Sequence, residues 1–174
     1  MDPIDHFTTL ASYNQWATAR VLDAVVVLPE ADYRRDMGLF FHSIHGTLNH
    51  LLVGEHHLWF VRFSQGLSPQ VALDTEWQPD RQPLAAALRE LSARWGPWIA
   101  TVPAARWAGT LDYTTMRGTP ASLPFAATLA HVFNHATHHR GQITAALTAL
   151  GQPCPELDLV YFLQSQQQRS TPPH

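Results

Sequence analysis

Four stretches of this chain carry apolar residues at three- and four-residue intervals, and that periodicity commits it to a helical fold more firmly than any other feature. The first opens on Asp2-Pro3, a capping residue followed by proline at the first helical position. It continues through Ile4, Phe7, Leu10, Ala11, Trp16, Val21, Leu22 and Val25 to Leu28-Pro29. After a polar connection through Asp32 to Asp36, a second helix is predicted over residues 43–65, with Ile44, Leu48, Leu51, Leu52, Leu58, Trp59 and Phe63 on its stripe. Residues 66–83 are rich in proline, glycine and polar side chains and read as a long connection. The pattern resumes with Leu84, Leu88, Leu91, Trp95 and Ile99. This third helix should be kinked or shortened at Gly96-Pro97, where proline lacks an amide donor and crowds the preceding turn.

Between Trp107 and Pro120 the period changes. Leu111, Tyr113 and Thr115 alternate with polar residues and Arg117-Gly118 supplies a turn signal, so a short β-hairpin is expected. Ser122 and Pro124 then open a long fourth helix in which Phe125, Leu129, Val132, Phe133, Ala136, Ile143, Leu147 and Leu150 hold one stripe until Gly151, with Pro153 beyond it. Residues 157–163 fit one further short helix, and residues 164–174 are polar, proline-tipped and expected to fray. Four amphipathic helices with too little strand for a sheet-based core predict an all-α four-helix bundle, with the hairpin before the last long helix. One domain is expected over residues 1–165 and a flexible C-terminal tail over 166–174. The long second and third connections allow a topology other than up-down-up-down.

A net charge of -3 without a Lys/Arg run offers nothing to a phosphate backbone or an anionic lipid surface, so neither nucleic-acid nor membrane binding is expected. No segment approaches ~20 uninterrupted apolar residues, and Met1-Asp2-Pro3 lacks the basic and apolar regions of a secretion signal; the expected location is the cytoplasm. The single cysteine, Cys154, lies between Pro153 and Pro155 without a local Cys or His partner and reads as an incidental thiol rather than a nucleophile.

Chemistry is concentrated in histidine. Nine of the eleven histidines fall in two blocks: His42, His45, His50, His56 and His57 on the second helix, and His131, His135, His138 and His139 on the fourth. Imidazole is the commonest protein ligand for Zn, Ni, Cu and Fe, so two such blocks without a cysteine cluster suggest a metal held between separate parts of the fold. Projected at about 100° per residue, the stripe of the fourth helix centres near Ala136, with His139 roughly 60° and His135 roughly 100° away. His131 and His138 fall at roughly 140° and 160°, on the solvent side. His135 and His139 are an i, i+4 pair able to present two ring nitrogens to one ion. On the second helix His50 borders the apolar stripe and is the geometrically suitable third ligand, with His57 two turns along the same side. His45 and His56 project to the opposite flank, and His42 precedes or starts the helix. All three read as surface or capping residues.

Two charges contradict the simple pattern. Glu55 and Arg140 project into the apolar stripes of the second and fourth helices, where an unpaired charge is expensive. They either pair with each other or bond buried backbone; alternatively, Glu55 orients a ligand or acts as a general base beside the metal. Gln142 lies on the His135 side and is a candidate for hydrogen bonding a bound ligand. Tyr13, Asn14 and Trp16 read as packing and internal hydrogen bonding.

The segment Thr47-Leu48-Asn49-His50-Leu51-Leu52 with Glu55 and Trp59, and the run from His131 through Asn134, His135, His138, His139, Arg140 and Gly141 to Gln142 and Ile143, closely resemble the DinB/YfiT-like family. Tyr13-Asn14-Gln15-Trp16-Ala17, Ser43-Ile44-His45-Gly46 and Leu157-Asp158-Leu159 extend the resemblance over nearly the whole chain in order. It implies an up-down-down-up four-helix bundle, often a homodimer, in which His50, His135 and His139 hold a divalent metal, Zn or Ni first and Fe, Co or Mn also compatible. Three neutral imidazoles leave the ion's charge uncompensated and positions open for exchange. The activity so implied is metal-dependent S-transfer from a low-molecular-weight thiol, such as bacillithiol, to a small electrophile. A hydrolase using metal-activated water is the enzymatic alternative, and a non-catalytic metal- or ligand-binding role in a stress response the alternative of another class. A di-iron carboxylate bundle is disfavoured because paired Glu-x-x-His motifs are missing.

Overall fold

The computed structural model describes residues 2–170. Its first rod is α1 (Pro3–Val25), where the Asp2 side chain accepts a hydrogen bond from the Ile4 amide at 3.0 Å and Pro3 fills the first turn. The second rod is composite. It comprises α3 (Ile44–Leu51), capped by Ser43 through the Gly46 amide, then a π-helical segment Leu52–Phe60, then α4 (Val61–Gln65), which ends at Gly66 in the left-handed conformation. A short α2 (Glu30–Tyr33) occupies the connection read as polar from sequence. It forms there because Tyr33 is fully buried, with the Arg81 guanidinium 4.1 Å from its ring.

The third rod is α5 (Arg81–Ser92) continued by α6 (Trp95–Ile99). The break falls at Ala93 and Arg94, earlier than expected. Gly96 and Pro97 lie inside the first turn of α6, where a proline costs no hydrogen bond. A 3-10 turn (Ala104–Ala108) leads to the expected hairpin, β1 (Thr110–Thr114) paired antiparallel with β2 (Pro120–Pro124), with Leu111 opposite Leu123. Ser122 therefore belongs to the second strand instead of opening the fourth rod, whereas Pro124 both ends that strand and stands at the N-cap of the rod. That rod, α7 (Phe125–Ala149), has no side-chain cap; the Phe125 amide instead bonds the Gly109 carbonyl at 2.9 Å. It stops at Gly151 as read from sequence, with the Gln152 amide returning to the Leu147 carbonyl. A last helix, α8 (Leu159–Ser170), runs past Leu163 into the stretch expected to fray; the rest of the expected tail lies outside the described residues. Among the described residues no helix is long and apolar enough to cross a membrane.

Two apolar clusters fix the direction of each rod. One contains the start of α1 (Phe7, Ala11), the end of the second rod (Phe63), the end of the third (Trp95, Ile99) and the start of α7 (Phe125, Leu129). The other contains the end of α1 (Val21, Leu22, Val25), the start of α3 (Ile44, Leu48), the start of α5 (Leu84, Leu88) and the end of α7 (Ile143, Leu147). The rods consequently run up, down, down, up. Because the second and third are parallel, residues 66–80 must travel the length of the bundle to join them, as a strap laid along its side.

Charge in the core is organised by one amide. Asn14 on α1 donates to Glu55 Oε2 at 2.8 Å and accepts from Arg140 Nη1, while Arg140 also donates to Thr137 Oγ1 at 3.1 Å. Glu55 and Arg140 are thus bridged through Asn14 rather than paired directly, which ties three rods together. Burial pushes the Glu55 carboxyl up to about 7, against the pull of Arg140 and of the Asn14 hydrogen bond. Replacing Asn14 by leucine would leave both charged partners buried without their shared ligand. Urea denaturation of Asn14→Leu at neutral pH should show a loss of about 3–5 kcal/mol; a loss below about 1 kcal/mol would mean the bridge is dispensable.

Candidate metal centre

His50 from the second rod and His135 and His139 from α7 converge near the middle of the bundle. The Nε2 atom of His135 lies 3.2 Å from that of His50 and 3.1 Å from that of His139, and the three possible ligand atoms all lie within 4.8 Å of one another. Two nitrogens bound at about 2.0–2.1 Å in tetrahedral geometry would be about 3.3 Å apart, so the rings already stand near ligand spacing. The protonation pattern supports the same conclusion. His50 Nδ1 faces the Leu73 carbonyl at 2.9 Å and His139 Nδ1 faces Gln142 Oε1 at 2.9 Å, and both partners can only accept. Both Nδ1 atoms therefore carry hydrogen and both Nε2 atoms present lone pairs. A single proton on His135 Nε2 could serve one of these neighbours and leave the other unsatisfied, whereas a cation satisfies all three.

The supporting contacts come from elements with no histidine signal. Phe41 stacks on the His50 ring, with centroids 3.7 Å apart and planes 15° from parallel. It is held there by a turn in which His42 adopts a positive φ of 64°. The first turn of α3 packs so closely behind it that a Cβ on Gly46 would come within 2.2 Å of the Phe41 carbonyl oxygen. The strap supplies the Leu73 carbonyl, and Asn49 clamps it by donating to the Gln78 carbonyl at 3.0 Å and accepting from the Gln78 amide at 2.9 Å. Phe41 was not identified from sequence, and the strap was read there only as a long connection, without a part in the site. The only local signal was the apolar trio Leu39-Phe40-Phe41 inside a polar connection.

The remaining histidines do other work. His45, expected at the surface, is buried and meets Glu76 of the strap through Nε2 at 2.6 Å. His56, also expected at the surface, is buried, and burial lowers its pKa to about 3. The cause is the π-helical segment. Its i→i+5 hydrogen bonds take about one more residue per turn, so a projection at constant α-helical angle loses register after Leu52. His57 stacks on Trp77 of the strap at 4.0 Å. His42 is exposed, as are His131 and His138, in keeping with their projected positions. Glu55 makes its hydrogen bond to Asn14, and none of the described contacts joins it to the three imidazoles by a hydrogen bond. Gln142 touches His139 and, at 3.2 Å, His138, and so orients a ligand ring. Cys154 is exposed and free.

A cleft of about 310 Å³ opens beside the triad, lined by His50, Gly54, Leu58, Trp59, Arg62, Leu73, Tyr113, Met116, His131 and His135 among others. Gly54 leaves room between the two rods: a Cβ there would rest 3.7 Å from His50 Cε1 and 3.8 Å from His135 Cε1. The cleft contains no carboxylate. A larger cavity of about 410 Å³ shares Leu73 with it, but none of the three candidate ligands lines that space.

Fold and site together define a four-rod helical bundle with three neutral histidines suited to a divalent metal ion. The chain belongs to the DinB family, whose sequence profile matches residues 4–170. It is 27% identical over 165 residues to the protein DinB of Bacillus subtilis, covering 88% of this chain and 91% of that one. Among solved structures, a DinB-like protein from Bacillus cereus superposes with a TM-score of 0.65 at 19% identity, covering 90% of this chain and 99% of that one. YfiT from Bacillus subtilis, described as a probable metal-dependent hydrolase with an unusual four-helix bundle topology, also gives 0.65, at 16% identity, covering 86% and 90%.

Burial lowers the pKa of His50 to about 4 and of His135 to about 3, and depresses His139 as well. Protons therefore compete with a metal only in acid. Zinc affinity measured by calorimetry should be nearly flat between pH 8 and 6, falling steeply only below about pH 5. Folding of the metal-free protein should respond sooner. Below about pH 6.5 the unfolded chain protonates these histidines and His56 while the folded chain does not, so stability drops as pH falls. Glu55, raised in the folded state, opposes this with one proton between about pH 7 and 4.5 and cannot offset four histidines. Gln142→Leu should weaken zinc binding about 10- to 100-fold through loss of His139 orientation; unchanged affinity would remove Gln142 from the site.

Proposed function

We propose that this protein is a metal-dependent transferase that moves the sulfur of a small thiol onto a small electrophile. The observation that carries the reading is a three-imidazole site of zero ligand charge opening onto an apolar cleft without a carboxylate. A divalent ion held there keeps positions for exchangeable ligands and lowers the pKa of a thiol or of water placed at them. A hydrolytic site needs a protein group to take the proton of the attacking water and return it to the leaving group. The acid nearest in sequence, Glu55, is engaged in the Asn14 bridge instead. A thiol needs less help, since its own proton is lost easily and sulfur attacks as thiolate. The new carbon–sulfur bond then displaces a leaving group with its electron pair. His131, at the rim and 5.5 Å from His135 between ring centroids, is placed to pass the thiol proton to solvent.

The three histidines would hold the ion, Phe41 and the strap pack behind His50, and Leu58, Trp59, Tyr113 and Met116 offer the bound substrates apolar contact. Hydrolysis is the second reading, supported by the likeness to YfiT. The two separate in one assay. Protein purified without a histidine tag is loaded in turn with Zn, Ni, Co, Fe and Mn and offered a fluorogenic electrophile with and without cellular thiols. Conjugation that depends on both metal and thiol and falls at least about 100-fold in His135→Ala is expected. Turnover of esters or amides without thiol, and no conjugation with any metal, would replace transfer by hydrolysis.

A further inference from the structure

The cleft beside the triad has a second polar feature at its far end. Arg62 is 4% exposed, yet among the described residues no carboxylate pairs with it. Its Nη2 reaches only the Thr114 carbonyl, at 3.3 Å, and the Met116 sulfur, at 3.7 Å; its Nε is buried with no hydrogen-bond partner. The guanidinium carbon lies 4.7 Å from the ring centroids of both Trp59 and Tyr113, which hold the group between two aromatic faces without neutralising its charge. Arg81 and Arg140 also leave Nε without a partner, but their terminal nitrogens are engaged by side chains: Arg140 by Asn14 and Thr137, and the nearly buried Arg81 by the Glu30 carboxylate together with backbone carbonyls. Burying a cation without an anion is costly unless something completes the site.

We propose that Arg62 is the anion-binding end of the cleft, taking a carboxylate of the ligand whose sulfur is presented to the metal centre. His50, Gly54, Leu58 and Arg62 follow one another at four-residue intervals along the second rod, and all four line the cleft. Twelve residues of helix span at most about 18 Å between Cα atoms, and the arginine side chain leans back toward the N-terminus. The two ends of the ligand therefore stand on the order of 10 Å apart, which excludes the smallest thiols and fits a flexible acidic thiol of peptide-like length. Between them the ligand crosses Leu58, Trp59 and Met116, which suits a chain of methylene or amide units. The Thr114 contact also ties Arg62 to β1, so the hairpin forms one wall of the acid pocket.

This inference rests on the sulfur-transfer reading for the identity of the metal-facing group, and its test separates the two. Cobalt-loaded protein is titrated with a homologous series of ω-mercaptoalkanoates and with the matching ω-mercaptoalkanamides. Calorimetry gives the affinity of each pair, and the sulfur-to-cobalt charge-transfer band reports whether sulfur reaches the metal. Both members of a pair carry the same thiol, so the ratio of their affinities reads the carboxylate, and its change in Arg62→Met reads the share that Arg62 supplies. The acid should bind at least about tenfold more tightly than its amide, with an optimum at intermediate chain length. That ratio should fall to about one in Arg62→Met and be partly kept in Arg62→Lys. A ratio near one in the unmodified protein, a ratio unchanged in Arg62→Met, or no binding by either series would each overturn the proposal. A thiol-free pair, an alkanoate and its amide followed through the Arg62 Nε–H resonance, repeats the comparison without sulfur. If the charge-transfer band is absent while this pair retains the acid preference, the sulfur reading fails and the anion site stands.

Discussion

The parallel course of the second and third rods is the constraint from which the site follows. Two neighbouring helices running the same way cannot be joined by a tight turn, so residues 66–80 must cross the full length of the bundle. Something must then hold fifteen residues of irregular chain against a helix. Here it is a ladder of side chains on the second rod: His45 on Glu76, Asn49 on Gln78, His50 on Leu73 and His57 on Trp77. Only one of these four, His50, also faces the other two imidazoles. The crowding of histidines on the second rod is largely the signature of a strap being anchored, and the candidate metal ligand is one member of that set whose far nitrogen points inward.

The core carries its charges in two different ways. In the Asn14 bridge, opposite charges on two rods meet through a neutral amide on a third, each bonding the amide instead of the other. At the triad the protein contributes no charge, and burial keeps all three rings neutral. The first arrangement is self-sufficient and contributes to stability. The second is incomplete in the protein alone, which is what a site for an exchangeable cation requires.

Much of this could be read from the residues. The four apolar stripes gave the rods, and the stripe on α7 placed His139 and His135 at the border of the core, where one is buried and the other half-buried, and His131 and His138 outside. Legibility ended where the regular helix did. The π-helical turn after Leu52 carried His56 into the core, a change that no projection at constant angle contains. Phe41 and Leu73 are separated from the histidines they support by chain reversal and by crossover, so their roles exist only in three dimensions. Of the two residues that carried the helix-start signal of the fourth rod, Ser122 went to β2 opposite Asp112, where strand pairing outweighs a local preference for capping, while Pro124 ends that strand and stands at the N-cap of α7 as read. Arg62 lay in plain view on a predicted helix. Its lack of an acidic partner, the property that matters, is a fact about its surroundings.

The hydrogen bond from His50 to the Leu73 carbonyl gives the strap a stake in whatever occupies the triad. A ligand ring whose tautomer is set by a loop cannot be tightly committed to an ion unless that loop is in place, and the loop gains a fixed anchor when the ring is so committed. By reciprocity, ion capture and loop ordering strengthen one another by the same free energy. With an ion held there, the irregular span that topology forced on the fold would report its presence on the outside of the bundle.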